Sequence, residues 1–230
     1  MKAIKFTDAR GFHKEYEPKP ASAFVPDWYK EMESYMGGTK RPDEYGARGT
    51  IKKCMPVFDA ITSGYIITTF VDIWVTQMPG SATIYTWSNF EPIKFHPNEQ
   101  ADKHPAAKDF KFNFPKFVNP WIIETPPGYS CLFMPPAHRD NPITIFPGVV
   151  DTDTYALNVE FPFMLTDPNF DGLIPAGTPI AQVMPFKREN WESSVGADQE
   201  RAKAATIKNV LISKFYQVYK DKYWVKKHYK

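Results

Sequence analysis

Asp151 and Asp153, in the run Gly148-Val149-Val150-Asp151-Thr152-Asp153, are the pair whose type and spacing best suit chemistry. Two carboxylates this close could hold a magnesium ion through its water ligands, because Mg2+ prefers oxygen and keeps much of its hydration shell. Aspartates beside a glycine also serve as turn residues that accept backbone N–H bonds. The sequence leaves both readings open. His96 and His104 flank a polar stretch that contains Glu99 and Asp102. Imidazole and carboxylate together could bind a metal, and exposed loop histidines with no ligand are the plainer alternative. Cys131 and His138 lack the Cys-x-x-Cys that a zinc-activated deaminase needs. No glycine-rich phosphate cradle occurs. No metal site is therefore assigned, the cofactor is left unknown, and magnesium enters only if the chain is an enzyme.

The tail from Phe215 to Lys230, FYQVYKDKYWVKKHYK, interleaves aromatic and basic residues. Such a mix can stack on and neutralise single-stranded nucleic acid. It can equally dock a neighbouring subunit through its aromatics. A solvated basic helix end, whose lysines suit the negative pole of the dipole, is the third reading.

These residues must be positioned by a chain of 230 residues, 43% hydrophobic and 23% charged, an ordinary globular composition. The 22 prolines and 16% aromatic content favour short strands and ordered loops over long helices. Arg201 to Lys230 carries nine Lys and Arg against one Asp; with the whole chain at +2, the first 200 residues net to −6. The body is mildly acidic and the tail basic. Cys54 and Cys131 form neither a metal motif nor a disulfide framework and are expected to be reduced. The opening MKAIKFTDARGF lacks the apolar core of a signal peptide. The most apolar stretch, Tyr65 to Val75, is too short to span a bilayer and contains Asp72. A cytoplasmic protein with no membrane partner is expected, in a host cytoplasm or a virion if the chain is viral.

Local patterns predict the elements. Residues 1–6 read as a short strand, and 26–36, opening at Pro26 and ending at Gly37-Gly38, as a short helix. Residues 39–50 read as a polar loop. Residues 65–77 predict one long strand that turns at Pro79-Gly80-Ser81 and returns through 82–87 as a hairpin. Residues 90–110 are polar and lack periodicity. Strands at 119–124 and 129–134 flank the turn Pro126-Pro127-Gly128, and 143–146 is a further short strand. From Tyr155, the alternation that puts Tyr155, Leu157, Val159 and Phe161 on one face predicts a strand over 155–163 with Leu157, Val159 and Phe161 buried together. A last strand runs from Ile180 to Phe186. Ala204, Ile207, Leu211, Phe215 and Val218 recur at helical spacing over 197–220.

Three of these elements carry a resemblance. PPGYSCLFMPP (126–136) is a Pro-Gly turn, a strand and a closing proline. ITIFPGVVDTD (143–153) is an alternating strand leading into Gly-Val-Val-Asp-x-Asp. AGTPIAQV (176–183) ends in Ile-Ala-Gln. In this order, the stretch 120–185 resembles the deoxyuridine triphosphatase family and its relative, deoxycytidine triphosphate deaminase. The resemblance implies a distorted β-barrel or jelly roll, a homotrimer with sites between subunits, and Asp151 in the place of the aspartate that orients water for attack on the α-phosphate. That role needs an ionised carboxylate within hydrogen-bond reach. The departures are specific. The phosphate-binding arginine of the second motif falls at Pro136 and its serine at Ala137. The sugar-discriminating tyrosine falls at Thr154, with Tyr155 one place late. The fourth-motif arginine falls at Pro179, and Gln182 alone persists there. SGYIITTF (63–70) is a faint counterpart of the first motif, and the glycine-rich fifth is absent. Phosphoryl chemistry relies on cationic clamps, and prolines supply none; Arg139, three residues after Pro136, is the nearest substitute. The whole chain also resembles proteins of tailed phages and bacteria that carry Thr-Ile-Lys-Lys-Cys-x-Pro, here Thr50 to Pro56, a likeness that brings no activity.

The sequence therefore reads as a mainly β protein of this type with a C-terminal helical extension. It divides into an N-terminal extension with a short helix (1–50), a β domain (51–190) and a basic, aromatic helix and tail (191–230). Asp151 and Arg139 are the candidate catalytic residues; Gln182, Asp153, Tyr155 and His138 are the candidate ligand-binding ones. The leading expectation is a homo-oligomeric, non-hydrolytic protein acting by binding or assembly, with a small nucleotide as the candidate ligand, as a phage accessory or virion-associated factor. The alternatives are a divergent nucleotide pyrophosphohydrolase or deaminase using Asp151, and a nucleic-acid-binding module using the tail.

Overall fold

The computed structural model describes residues 2–8, 11, 14–38, 49–78, 83–105, 113–196, 198–214 and 218–230. The chain is mainly β: among these residues fourteen strands form four antiparallel sheets, and none closes into a barrel. The central sheet has the order β11 (Gly148–Val150), β9 (Tyr129–Met134), β14 (Pro179–Lys187), β3 (Tyr65–Thr68) and β2 (Lys19–Pro20). A second has the order β10 (Ile143–Ile145), β12 (Phe161–Leu165), β7 (Asn113–Phe117) and β6 (Ile93–Pro97). A third joins β13 (Gly172–Ile174), β4 (Ile73–Gln77) and β5 (Thr83–Trp87), and β1 (Lys5–Asp8) pairs with β8 (Trp121–Glu124). Strands β1 and β2 thus tie the N-terminal segment into the body.

The core explains this arrangement. Ile180, Ala181, Gln182 and Val183 of β14 are all buried, as are all four residues of β3, so these strands are covered on both faces. Phe117, Phe161, Phe163, Ile143 and Ile174 bring two other sheets onto the same cluster, where they meet Phe133 of β9. Helix α2 (Met55–Thr62) starts with Pro56 in its first turn and buries Met55 and Ile61. It gives way to β3 at Gly64, whose φ is +75°; a Cβ there would lie 2.2 Å from the Val183 carbonyl oxygen. Only glycine lets α2 approach β14 so closely.

Several predicted elements form differently. The long strand over 65–77 is two strands in two sheets. Between them, Thr69 N–H donates to Thr178 O (2.8 Å), Gly177 N–H to Thr69 O (2.9 Å) and Ala176 N–H to the Asp72 carboxylate (2.8 Å). This cross-bracing with the 175–178 turn bends the chain and sends Phe70 into the core against Phe117. The hairpin survives as β4 and β5, in register from Ile73 opposite Trp87 to Gln77 opposite Thr83; its Pro79-Gly80-Ser81 turn lies outside the described residues. The strand predicted over 155–163 starts only at Phe161. Thr154 and Tyr155 both donate backbone N–H bonds to Asp151 O, a turn that occupies the preceding stretch. Tyr155 is 43% exposed and Leu157 61% exposed, whereas Phe161, Phe163 and Leu165 are buried. The polar 90–110 segment contains β6, which pairs with β7. The N-terminal strand falls at β1, and the short helix is α1 (Asp27–Glu31), already extended again at Met32. Most of the 39–50 loop lies outside the described residues. Helix α3 (Gln199–Lys214) and α4 (Val218–Lys222) follow the body. Ala204 and Ile207, two of the periodic positions, are exposed, while the side chains of Leu211, Phe215 and Val218 lie outside the description. No helix of the described residues is long and apolar enough to cross a membrane.

Candidate functional site

Strands β9 and β11 pair with Val150 opposite Cys131, which sets Asp151 beside Ser130 at the start of β9. The 151–155 turn carries Asp153 back toward the Pro126-Pro127-Gly128 turn, where Gly128 is left-handed at φ +83°. β14 ends at the same edge, since its Lys187 lies opposite Tyr129. The next residue, Arg188, donates its backbone N–H to Gly128 O at 2.8 Å. Three chain segments therefore converge on the two aspartates.

Arg188 joins them. Its guanidinium takes both oxygens of Asp153, Nη1 to Oδ1 at 2.8 Å and Nη2 to Oδ2, an end-on bidentate pairing of two charge-assisted hydrogen bonds. Nη1 also reaches the Ser130 hydroxyl (3.0 Å), Tyr129 O (3.1 Å) and Asp151 Oδ1 (3.2 Å). Ser130 Oγ donates to Asp151 Oδ1 at 2.6 Å, and Gly128 N–H to Asp153 Oδ2 at 2.8 Å. The Arg188 bonds, aided by the Gly128 N–H, pull the Asp153 carboxyl down to about 2, and the same pair raises the Arg188 guanidinium. Behind the aspartates, the buried Thr152 hydroxyl shares a 2.7 Å hydrogen bond with that of Thr125 and lies 3.4 Å from the Cys131 sulfur. Asp153 is enclosed, its side chain 5% exposed, whereas that of Asp151 is 61% exposed. A pocket of about 360 Å3 lies alongside, lined by Phe186 to Trp191, and Trp191 stands almost entirely in solvent.

The other sequence candidates fall elsewhere. β9 runs on for four residues past Ser130, about 13 Å at the usual rise, before the loop that carries His138 and Arg139. No hydrogen bond or ion pair joins Arg139 to Asp151 among the described residues; the cation beside the aspartates is Arg188. Gln182 is fully buried and fully engaged: Oε1 accepts from Ala137 N–H (2.9 Å), and Nε2 donates to Ala60 O (2.8 Å) and Ser63 O (2.6 Å). It holds β14, α2 and the 135–138 loop together. His138 is exposed, with a φ of +55°, and its carbonyl accepts from Trp28 Nε1 at 2.9 Å. Tyr155 closes the aspartate turn through its backbone with its ring half in water. His96 and His104 stack on Phe114 and Phe146, and no group of three or more His, Cys, Asp or Glu among the described residues could hold a metal. Sequence reasoning passed over Arg188; its signal is a basic residue immediately beyond the last strand, level with the Pro-Gly turn once β14 and β9 are paired.

The end of the tail returns to its own chain. Trp224 Nε1 donates to both oxygens of Asp59 on α2 (3.1 and 2.9 Å), and Lys227 pairs with the same carboxylate at 2.5 Å. The Trp224 ring meets Phe58, Tyr229 meets Tyr65 edge-on, and Tyr65 Oη donates to Lys230 O at 3.1 Å. Phe215 lies outside the described residues, and Tyr219, Tyr223 and Val225 are exposed. No protein-family model matches the chain, and no curated protein is significantly similar to it.

Proposed function

We propose that this chain is a deoxyuridine triphosphatase-like β protein that acts by binding or assembly and not by hydrolysis. The observation that carries the reading is Arg188. A hydrolytic site of this type needs its carboxylate free to orient water and its cations free to meet the phosphates. Here the arginine nearest both aspartates is spent on them, and the second-motif and fourth-motif positions hold Pro136 and Pro179. A fold can persist while its site changes use. The jelly-roll arrangement, the homotrimer and the cytoplasmic or virion setting belong to the same reading and come from the resemblance of 120–185.

The exposure of the Asp151 side chain favours a second reading, a divergent pyrophosphohydrolase in which Arg188 releases the aspartates when a nucleotide arrives. Incubating the protein and magnesium with deoxyuridine and deoxycytidine triphosphates, then recovering the nucleotides by chromatography, separates the two. Intact nucleotide supports binding or assembly; nucleoside monophosphate or deaminated base supports the enzyme. Light scattering tests the oligomer, where the mass of a single chain would count against the trimer.

A further inference from the structure

A strand at the margin of a sheet leaves backbone N–H and C=O groups unpaired along one side, a template for another chain. Short strands, prolines and charged side chains are the usual protections. Among the described residues, all the marginal strands but one carry them. β2 is two residues, Lys19 and Pro20. β10, β11 and β13 have three residues each and stand beside Pro142, Pro147 and Pro175 respectively. β6 contains Lys94 and Pro97, β1 contains Lys5 and Asp8, and β8 contains Glu124. β5, Thr-Ile-Tyr-Thr-Trp, is a full strand with none of these devices.

On one side β5 pairs along its whole length with β4; among the described residues no backbone hydrogen bond leaves it on the other. Its inner face is already used, since Tyr85 meets Phe95 and Phe163 and Trp87 packs against the core. Its outer face presents Ile84 and Thr86, both exposed. Trp74, opposite Thr86 on β4, and Leu173, opposite Trp74 on β13, continue that exposed apolar face across the sheet. Phe95, on the inner side of the same edge, is exposed as well. An unpaired edge thus runs between apolar side chains on both sides, a combination that marks an interaction surface.

Charge identifies the occupant. From Ile73 to Phe90 the chain has no Asp, Glu, Lys or Arg, although 23% of its residues are charged. A two-fold contact sets one patch against itself, so a charge near the axis would face its own kind, which destabilises paired strands. An uncharged edge avoids that penalty, and it offers a charged partner nothing to pair with. We infer that a second copy of this chain adds its β5 antiparallel to this β5 across a two-fold axis. Centred on Tyr85, the pairing sets Ile84 of each copy opposite Thr86 of the other on the outer face. Two three-stranded sheets then become one of six strands, an ordinary size. The inference does not depend on the function proposed above, and such a pair forms equally between single chains or between trimers.

The test follows light-scattering mass against protein concentration for the full chain, for Ile84→Lys/Thr86→Lys, for Ile84→Glu/Thr86→Glu, and for an equimolar mixture of the two variants. The wild-type mass should rise with concentration to an even number of chains. Amide exchange across 83–87 should slow over the same range, as the free edge gains partners. Each variant alone brings like charges together at the axis and should hold half the wild-type mass. The mixture, in which Lys faces Glu, should recover the full mass, and added salt should weaken that recovery. A wild-type mass of one chain at every concentration overturns the inference, as does a mass of three chains that both variants keep. A mass that grows without limit also overturns it, because a two-fold pair closes on itself. The wild-type mass and exchange need no variant, so they decide the question even where a substitution disturbs folding.

Discussion

At Asp153 a carboxylate meets both Nη atoms of a guanidinium and a backbone N–H in the same small volume, and its pKa falls from the ordinary carboxylate range to about 2. The folded state binds this proton less tightly than the unfolded state, so the contribution is fully present above the unfolded pKa and disappears as pH falls through the folded one. Asp153→Asn should therefore melt below wild type by a constant margin from neutral pH to about 5, and the margin should close between about 4 and 2. A margin independent of pH across that range would mean that Arg188 does not stabilise the charged form. Gln182 offers a second check. Gln182→Leu removes the partners of Ala137 N–H, Ala60 O and Ser63 O, and each buried group left unmet costs ~1–3 kcal/mol. Denaturant unfolding should show a loss of about 3 kcal/mol or more, where a ligand-binding glutamine would change the stability little. The proximity of Asp151 and Asp153 was legible from their spacing. Arg188 was not, because it reaches them only through the pairing of β14 with β9, a contact between residues far apart in the chain.

Among the elements, the turns were the most legible. Pro126-Pro127-Gly128 and the end of β14 fall where proline, glycine and β-branched runs place them, because those signals act within a few residues. The elements that differ were decided by partners. Alternation over 155–161 is real in the sequence, yet Asp151 O draws the N–H groups of Thr154 and Tyr155 into a turn and delays the strand to Phe161. In β6 the alternation of Ile93 and Phe95 is too short to stand out from the polar stretch around it, and the strand is fixed by its pairing with β7. The approach of α2 to β14 makes a sharper prediction. Gly64→Ala combines a left-handed φ with a Cβ 2.2 Å from Val183 O. Strain at such a residue costs ~1–3 kcal/mol before the clash is counted. The variant should lose at least about 2 kcal/mol in urea, and an unchanged midpoint would show that α2 does not pack on β14 in this way.

For the whole molecule, the basic tail and acidic body were legible as charge, but not the place where they meet. The encounter is between Asp59 and the Trp224–Lys227 segment, 165 or more residues away in sequence. Deleting 224–230 should lower the melting midpoint without changing the mass, because Trp224 and Tyr229 pack on Phe58 and Tyr65 of the same chain. Burying a large side chain fully is worth roughly 1.5–3 kcal/mol, and these are only half-buried, so the loss should be smaller for each. An unchanged melt accompanied by lost, salt-sensitive affinity for single-stranded nucleic acid would assign the tail to that partner instead. The direct measurement of the central claim is steady-state turnover of deoxyuridine triphosphate with magnesium, for wild type, Asp151→Asn and Arg188→Gln. The expected result is turnover far below the usual enzymatic range of about 1–10³ per second, with Asp151→Asn no slower than wild type. Turnover within that range, abolished by Asp151→Asn and altered by Arg188→Gln, would contradict a binding or assembly role and make the aspartates a working active site.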